Sequence, residues 1–333
     1  MGRRLRDVKV KDGKMEENKI RIFQRTLDPT SRPIVTVRDI LLCIQLPIIF
    51  IISRMPERLW SPFCLLMEAI KRSYSSNKNR LHEEKIRKAL SLDRNSAVPQ
   101  HIRVAGDANR TEHSIQIFRE YGGSAWTPPI RIEGINYLKD AVSKQKGVVL
   151  WASHFAFSSL ITKKALAAAG YSVSHLSRPE HGFSKSRFGI AWLNPFRCAV
   201  EDRYLAQRVL IQRDVPGGAF QSALEILSHG GAVSVTAGAW EGRILAEGDF
   251  LAGKIHLAIG AAKLSSESGA ELLPVFTIRD SMPNSFLVVI GRPLLLHGGE
   301  AAISVAVREY LTALAPFVVR YPDQWRGWDK LIV

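Results

Sequence analysis

The chain has 333 residues, 46% hydrophobic and 23% charged, which suffices for a sizeable core and is too apolar for a disordered polypeptide. Lys and Arg number 46 against 31 Asp and Glu; this net charge of +15 directs the protein towards anions such as nucleic acid, anionic lipid headgroups, or phosphorylated substrates and carriers. The three cysteines, Cys43, Cys64 and Cys198, make no disulfide framework and no zinc-ligand spacing, so a reducing compartment is expected.

Residues 1–33 hold ten Lys/Arg against five Asp/Glu and read as a solvated, disordered basic arm. The most apolar stretch follows, Asp39-ILLCIQLPIIFIIS-Arg54, with Pro47 near its middle. Its fourteen residues between charges fall short of the roughly 20 that a simple spanning helix needs. It lies too far inside the chain for a signal peptide, and no small-residue cleavage site follows it. One reading is a buried core helix. The other is a segment dipping into one leaflet, followed by an amphipathic helix around 59–70. Basic residues on both sides favour the second: the arm precedes the segment, and Lys71, Arg72, Lys78, Arg80, Lys85, Arg87, Lys88 and Arg94 follow it. Such residues beside an apolar segment are drawn to anionic lipid. No finger, helix-turn-helix pattern or arginine–aromatic interleaving accompanies the charge, so no nucleic-acid partner is expected.

Residues 34–125 are therefore expected to form a helical membrane-associating region, and 126–333 a separate α/β domain. Helices are predicted over 81–92 and 107–121, the second stopped by Gly122-Gly123, with a loop over 126–129. Strands are predicted at 148–151, 172–176, 232–236, 271–278 and 286–290. Helical spacing covers the stretch after 154 to Gly170, 219–227, 254–268 and 303–319. Strands alternating with helices imply a mostly parallel sheet flanked by helices.

Ligands of such sheets bind beyond the carboxyl ends of the strands. The first central strand delivers Ser153-His154 there. Residues 131–160 read RIEGINYLKDAVSKQKGVVLWASHFAFSSL, with Gly134 and Leu138, a Lys146-Gly147 turn, a strand and Ser153-His154-Phe155 in that order. Further on come Ser177-Arg178-Pro179, then Phe250-Leu251-Ala252-Gly253 with Gly260, Ala262 and Pro274, and finally Tyr321-Pro322-Asp323-Gln324-Trp325. Over roughly residues 40–330 this series resembles the bacterial lipid A late (lauroyl/myristoyl) acyltransferases, within the lysophospholipid acyltransferase superfamily.

The resemblance implies a glycerolphosphate acyltransferase-like fold and a membrane-associated enzyme of lipid biosynthesis. Such an enzyme sits on the cytoplasmic face of the bacterial inner membrane, peripherally or by a single anchor. It moves a fatty acyl group from an acyl carrier protein or acyl-CoA thioester to a hydroxyl or amine of a lipid acceptor, without a cofactor or metal. The partners implied are that carrier or acyl-CoA, anionic membrane lipids and the lipid acceptor. In the family, the histidine of a His-x4-Asp/Glu motif is the general base, a role that falls here on His154. Arg178 is implied as a donor to the developing oxyanion or to a substrate phosphate. Glu241-Gly242-Arg243 resembles the Glu-Gly-Thr-Arg motif of the glycerolphosphate acyltransferase branch without its Thr, which assigns Glu241 and Arg243 to the acceptor's phosphate region.

Two departures mark a divergent member. The lipid A enzymes carry Asp-Gln or similar after the strand matching 232–236, and no Asp stands there. The position of the motif acid is Ser159. A serine can hold an imidazole tautomer but cannot stabilise an imidazolium, and the comparable loss in a serine-protease triad costs about 10⁴ in rate. Either His154 acts slowly, or a carboxylate arrives from elsewhere, with Glu180 and Asp202 as candidates, or the protein is a catalytically impaired, lipid-binding relative. Gly-x-Ser-x-Gly is absent, and no Gly-x-Gly-x-x-Gly follows a strand, which argues against an esterase elbow and a dinucleotide site.

Overall fold

The computed structural model describes residues 20–25, 32–72, 77–123, 126–212, 215, 217–238, 242–280, 282, 284–294 and 299–333. After a short strand β1 (Arg21–Gln24), helix α1 (Val37–Ile52) opens on a capping box. The Thr36 hydroxyl accepts the Asp39 N–H at 3.3 Å, and the Asp39 carboxylate accepts the Thr36 N–H at 2.6 Å. Asp39 is fully buried and also accepts the Ser184 hydroxyl, which ties α1 to the α/β body. Burial raises its carboxyl, but hydrogen bonds from Ser184, Thr36 and Ser186 outweigh this and bring it to about 2.

The amphipathicity of α1 is inverted. Asp39, Leu42 and Leu46 face inward, while Val37, Ile40, Leu41, Ile44, Ile48 and Ile51 recur at helical spacing on the opposite side and are exposed. Helix α2 (Trp60–Arg72) likewise buries Trp60 and Cys64 and exposes Leu65 and Leu66. Helices α3 (Asn77–Ala89) and α4 (Val98–Tyr121) complete the N-terminal set. Helix α4 starts nine residues before the expected 107, with Pro99 in its first turn, where the missing N–H costs nothing. Its buried residues include Arg103, Glu112, His113 and Glu120, so polarity hid its inward faces from a hydrophobic-spacing reading.

The remaining elements are β2 (Ile130–Glu133), α5 (Ile135–Ser143), β3 (Val148–Ala152), α6 (Ser158–Ala168), β4 (Val173–Ser177), a π-helical turn (Gly189–Leu193), α7 (Asn194–Asp202), β5 (Arg208–Leu210), α8 (Gly218–Ser228) and β6 (Ala232–Thr236). They are followed by β7 (Ile244–Phe250), β8 (Gly253–Ala258), α9 (Gly260–Ser268), β9 (Glu271–Arg279), β10 (Phe286–Ile290), α10 (Gly299–Arg320) and β11 (Leu331–Ile332). Seven strands form a mixed sheet in the order β2-β10-β9-β3-β6-β4-β5, parallel throughout except between β9 and β10. Helices flank both faces, so the expected α/β architecture with a mostly parallel sheet is present. Along β3 the side chains alternate: Val149 and Trp151 enter the core beneath α9 and α10, and Val148 and Leu150 the core beneath α5 and α6. Gly147 takes φ +78° just before β3, and a Cβ there would lie 2.7 Å from the Leu227 carbonyl.

Two expectations change. The stretch 254–268 is not one helix: its first part is β8, because Ile255 and Leu257 point inward while Lys254 and His256 reach Glu247 across the strand. With β1, β7 and β11 it makes a second, antiparallel sheet in the order β1-β7-β8-β11. The arm, in turn, is not wholly unstructured, since Arg21–Gln24 pairs with β7 at the edge of that sheet. Among the described residues one helix, Ala301–Arg320, has the length and composition to cross a membrane. It is the core helix α10, whose Ala306, Val307, Tyr310 and Val318 are fully buried, and Tyr310 stacks on Trp151 at 4.2 Å.

Candidate active site

Strands β3, β6 and β4 run parallel and end at one edge, with Ala152 level with Thr236. The chain leaves β3 through Ser153, whose N–H donates to the Val275 carbonyl at 2.8 Å. The C-terminal segment clamps the next residues. Phe155 bridges Trp325 in antiparallel fashion, the Arg326 N–H donates to the His154 carbonyl at 3.0 Å, and the Ala156 N–H donates to the Gln324 carbonyl at 2.8 Å. Trp325 packs against Phe250 and Trp328, at 5.5 and 4.8 Å between ring centroids. The sequence segments around 153–155, 250 and 321–325 are thus one contact set.

A cavity of about 1200 Å³ opens over this edge. His154, Arg178 and Arg243 all line it; Glu241 lies outside the described residues. Twelve lining residues are Lys or Arg and two, Glu180 and Asp329, are acidic. Burial comes first, then the guanidiniums of Arg326, Arg197, Arg110 and Arg178; together they hold the His154 ring well below the ordinary histidine value. The ring is therefore neutral at pH 7. Arg326 pays the same field: burial, then Arg110 and Arg197, lower its guanidinium to about 9. Among the described residues that guanidinium has no hydrogen-bond or ion-pair partner. Converging cations of this kind suit an anion with several acceptor oxygens, of which a phosphate is the commonest.

The expected acid position, Ser159, is occupied differently. Its hydroxyl meets Arg197 Nη2 at 2.6 Å and His113 Nε2 at 2.9 Å, and the neighbouring Ser158 hydroxyl donates to the Phe155 carbonyl. Of the two candidate carboxylates, Glu180 accepts Arg32 Nε at 2.7 Å, and Asp202 accepts Arg208 Nε at 2.7 Å on a half-exposed side chain. The acid that sequence reasoning missed is Glu201, which is fully buried. It accepts His181 Nε2 at 2.8 Å, Arg197 Nε at 2.9 Å, Arg208 Nη2 at 3.2 Å and the Lys163 ammonium. Burial would raise its carboxyl, yet His181, Lys163 and Arg197 hold it well below the carboxylate range. Asp202 was the neighbouring choice, but one residue along a helix turns the side chain by about 100°, here from the interior to the surface. His175, also on the cavity wall, pairs its Nδ1 with the Ser234 hydroxyl at 2.7 Å.

Among the described residues no group of three or more His, Cys, Asp or Glu could hold a metal ion. The arrangement can bind a phosphate-bearing ligand and offer it neutral imidazoles for proton transfer. Compared with models of protein families and with curated proteins, the chain matches none.

Proposed function

We propose that the protein is a membrane-associated acyltransferase of glycerolphosphate acyltransferase-like fold. It moves a fatty acyl group from an acyl carrier protein or acyl-CoA to a hydroxyl or amine of a lipid acceptor. The observation that carries the reading is a neutral histidine, His154, at the carboxyl end of the central strand in a strongly cationic cavity. Thioester transfer needs a proton acceptor for the incoming hydroxyl, and it needs cations both for the developing oxyanion and for the donor's phosphates. His154, Arg178 and Arg243 are the residues suited to those tasks.

The inverted helix α1 supports the membrane half of the reading. Arg38, next to its buried Asp39, lines the cavity, so the mouth adjoins the exposed apolar face Val37–Ile51. A lipid acceptor could pass from a bilayer held by that face into the cavity. Basic residues around such a face add electrostatic attraction to anionic lipid. Ile44→Glu and Ile48→Glu are each expected to lower affinity for phosphatidylglycerol-containing vesicles about tenfold. Cosedimentation measures it, and unchanged binding in both would remove α1 as the docking element.

Acyl transfer from radiolabelled lauroyl-CoA or lauroyl-acyl carrier protein into a bacterial lipid extract tests the enzyme half. Wild type is expected to label lipid, and His154→Ala to lose about 10²–10⁴ of the rate. Equal rates would sink the role of His154. A second reading follows from Ser159, whose bonds to Arg197 and His113 put no carboxylate at the family's acid position. On that reading the protein binds lipid without turning it over, and vesicle or lipid binding without transfer by wild type would select it.

A further inference from the structure

Besides His154 and His175, the same cavity contains a third imidazole in a different setting. His181 follows β4 and lines the wall, its side chain 20% exposed. Its Nε2 faces both oxygens of Glu201, at 2.9 and 2.8 Å. A neutral ring beside a carboxylate must present its N–H there, which leaves Nδ1 as the bare lone pair. Among the described residues Nδ1 has no hydrogen-bond partner. The ring is neutral before reaction, since burial brings it to about 4 although Glu201 acts to raise it.

The loop that carries His181 is rigidly held. Its N–H donates to the Arg178 carbonyl at 3.0 Å. The Asn194 amide closes the following turn: its Oδ1 accepts the N–H groups of Phe183 and Ser184 at 2.8 and 3.0 Å, and its Nδ2 donates to the Ser184 carbonyl at 2.9 Å. Glu201 is held in turn by Arg197, Arg208 and Lys163, so the carboxylate stays charged and fixed. These are the elements of a base with an orienting acid: a neutral ring on the cavity wall and a buried carboxylate on one of its nitrogens. His154 sits instead among four guanidiniums, with a serine where its acid is expected.

We infer that the His181–Glu201 pair is the carboxylate-backed proton acceptor of this cavity, supplying the pairing that Ser159 does not give His154. The inference rests on the acyltransferase reading for its substrate. In that reaction His181 Nδ1 takes the proton from the acceptor hydroxyl as the oxygen bonds to the thioester carbonyl carbon. The carbon–sulfur bond then breaks, and the leaving thiolate takes that proton back from Nδ1. Thioester and alcohol become ester and thiol, and His181 ends neutral. The Nε2–H stays directed at Glu201 throughout, and on this inference His181 takes over the proton-acceptor task that the sequence pattern gives to His154.

The test compares wild type, His181→Gln and His181→Ala, as full-length proteins, in the radiolabelled lauroyl-CoA assay. Glutamine keeps an N–H for Glu201 but has no lone-pair nitrogen. The expected result is a kcat lowered about 100-fold or more in both variants, with little change in KM for the donor and unchanged thermal stability for His181→Gln. Imidazole added to His181→Ala is expected to restore part of the rate, which a purely structural role would not allow. Transfer by His181→Gln within about threefold of wild type overturns the inference and leaves the acyltransferase reading standing. If wild type itself transfers nothing, that reading fails, and nitrogen NMR of the His181 ring then decides the pair alone. A bare Nδ1 with protonated Nε2 at neutral pH upholds the dyad as a base of unassigned substrate; the reverse tautomer overturns it.

Discussion

Replacing Glu201 with glutamine is expected to destabilise the fold by about 3–5 kcal/mol, the usual cost of breaking a buried ion pair from one side. The reason is local. Lys163, Arg197 and Arg208 all direct donors at this fully buried carboxylate, and an amide would leave their charges uncompensated in a medium of low polarity. Urea unfolding at pH 7 measures the loss, and a change under about 1 kcal/mol would mean that water reaches the cluster. Acid adds an independent check. The folded-state value of Glu201 lies well below the unfolded 4.5, so the unfolded chain binds the proton more readily. Its contribution is fully present above about 4.5 and is lost as the pH falls towards the folded value. Wild type is therefore expected to lose stability steeply below that pH, and Glu201→Gln to lose less over the same interval.

The second large effect is expected at Trp325. It is almost fully buried, packs on Phe250 and Trp328, and its backbone bridges Phe155 beside His154. Trp325→Ala should cost about 3–5 kcal/mol through the cavity it leaves. On the proposed acyltransferase reading it should also lower transfer by more than the folded fraction explains, because the Trp325 ring anchors on Phe250 and Trp328 the backbone bridge that holds Phe155 beside His154. Phenylalanine at the same site keeps most of the volume and is expected to recover most of both losses. Denaturant titration alongside the transfer assay separates the two. Full specific activity in folded Trp325→Ala would show that the clamp stabilises without positioning.

How legible the site was depends on the residue. His154 was readable because a short apolar strand after Gly147 ends on it, and strand ends in a parallel sheet carry ligands. Arg178 and Arg243 were readable through short motifs, and both reach the cavity. Glu201 and His181 were not. Twenty positions separate them in the chain, and they meet only because α7 packs back against α6 and α4 and brings Glu201 to the loop that follows β4. Nor could composition say that Ser159 would bond Arg197 and His113, since these residues come from three different helices.

The net charge follows the same division. The count of 46 basic against 31 acidic residues, the inward and outward rows of α1, and the alternation of strands and helices from residue 130 were all set by the sequence itself. Local periodicity and composition carry that information because each depends only on neighbours along the chain. The tertiary structure decided where the charge goes. It draws twelve Lys and Arg from distant segments into one cavity, joins the arm's Arg21–Gln24 to a second sheet, and buries one carboxylate where four donors converge. Such convergence arises from contacts between residues far apart in sequence, which no local pattern encodes.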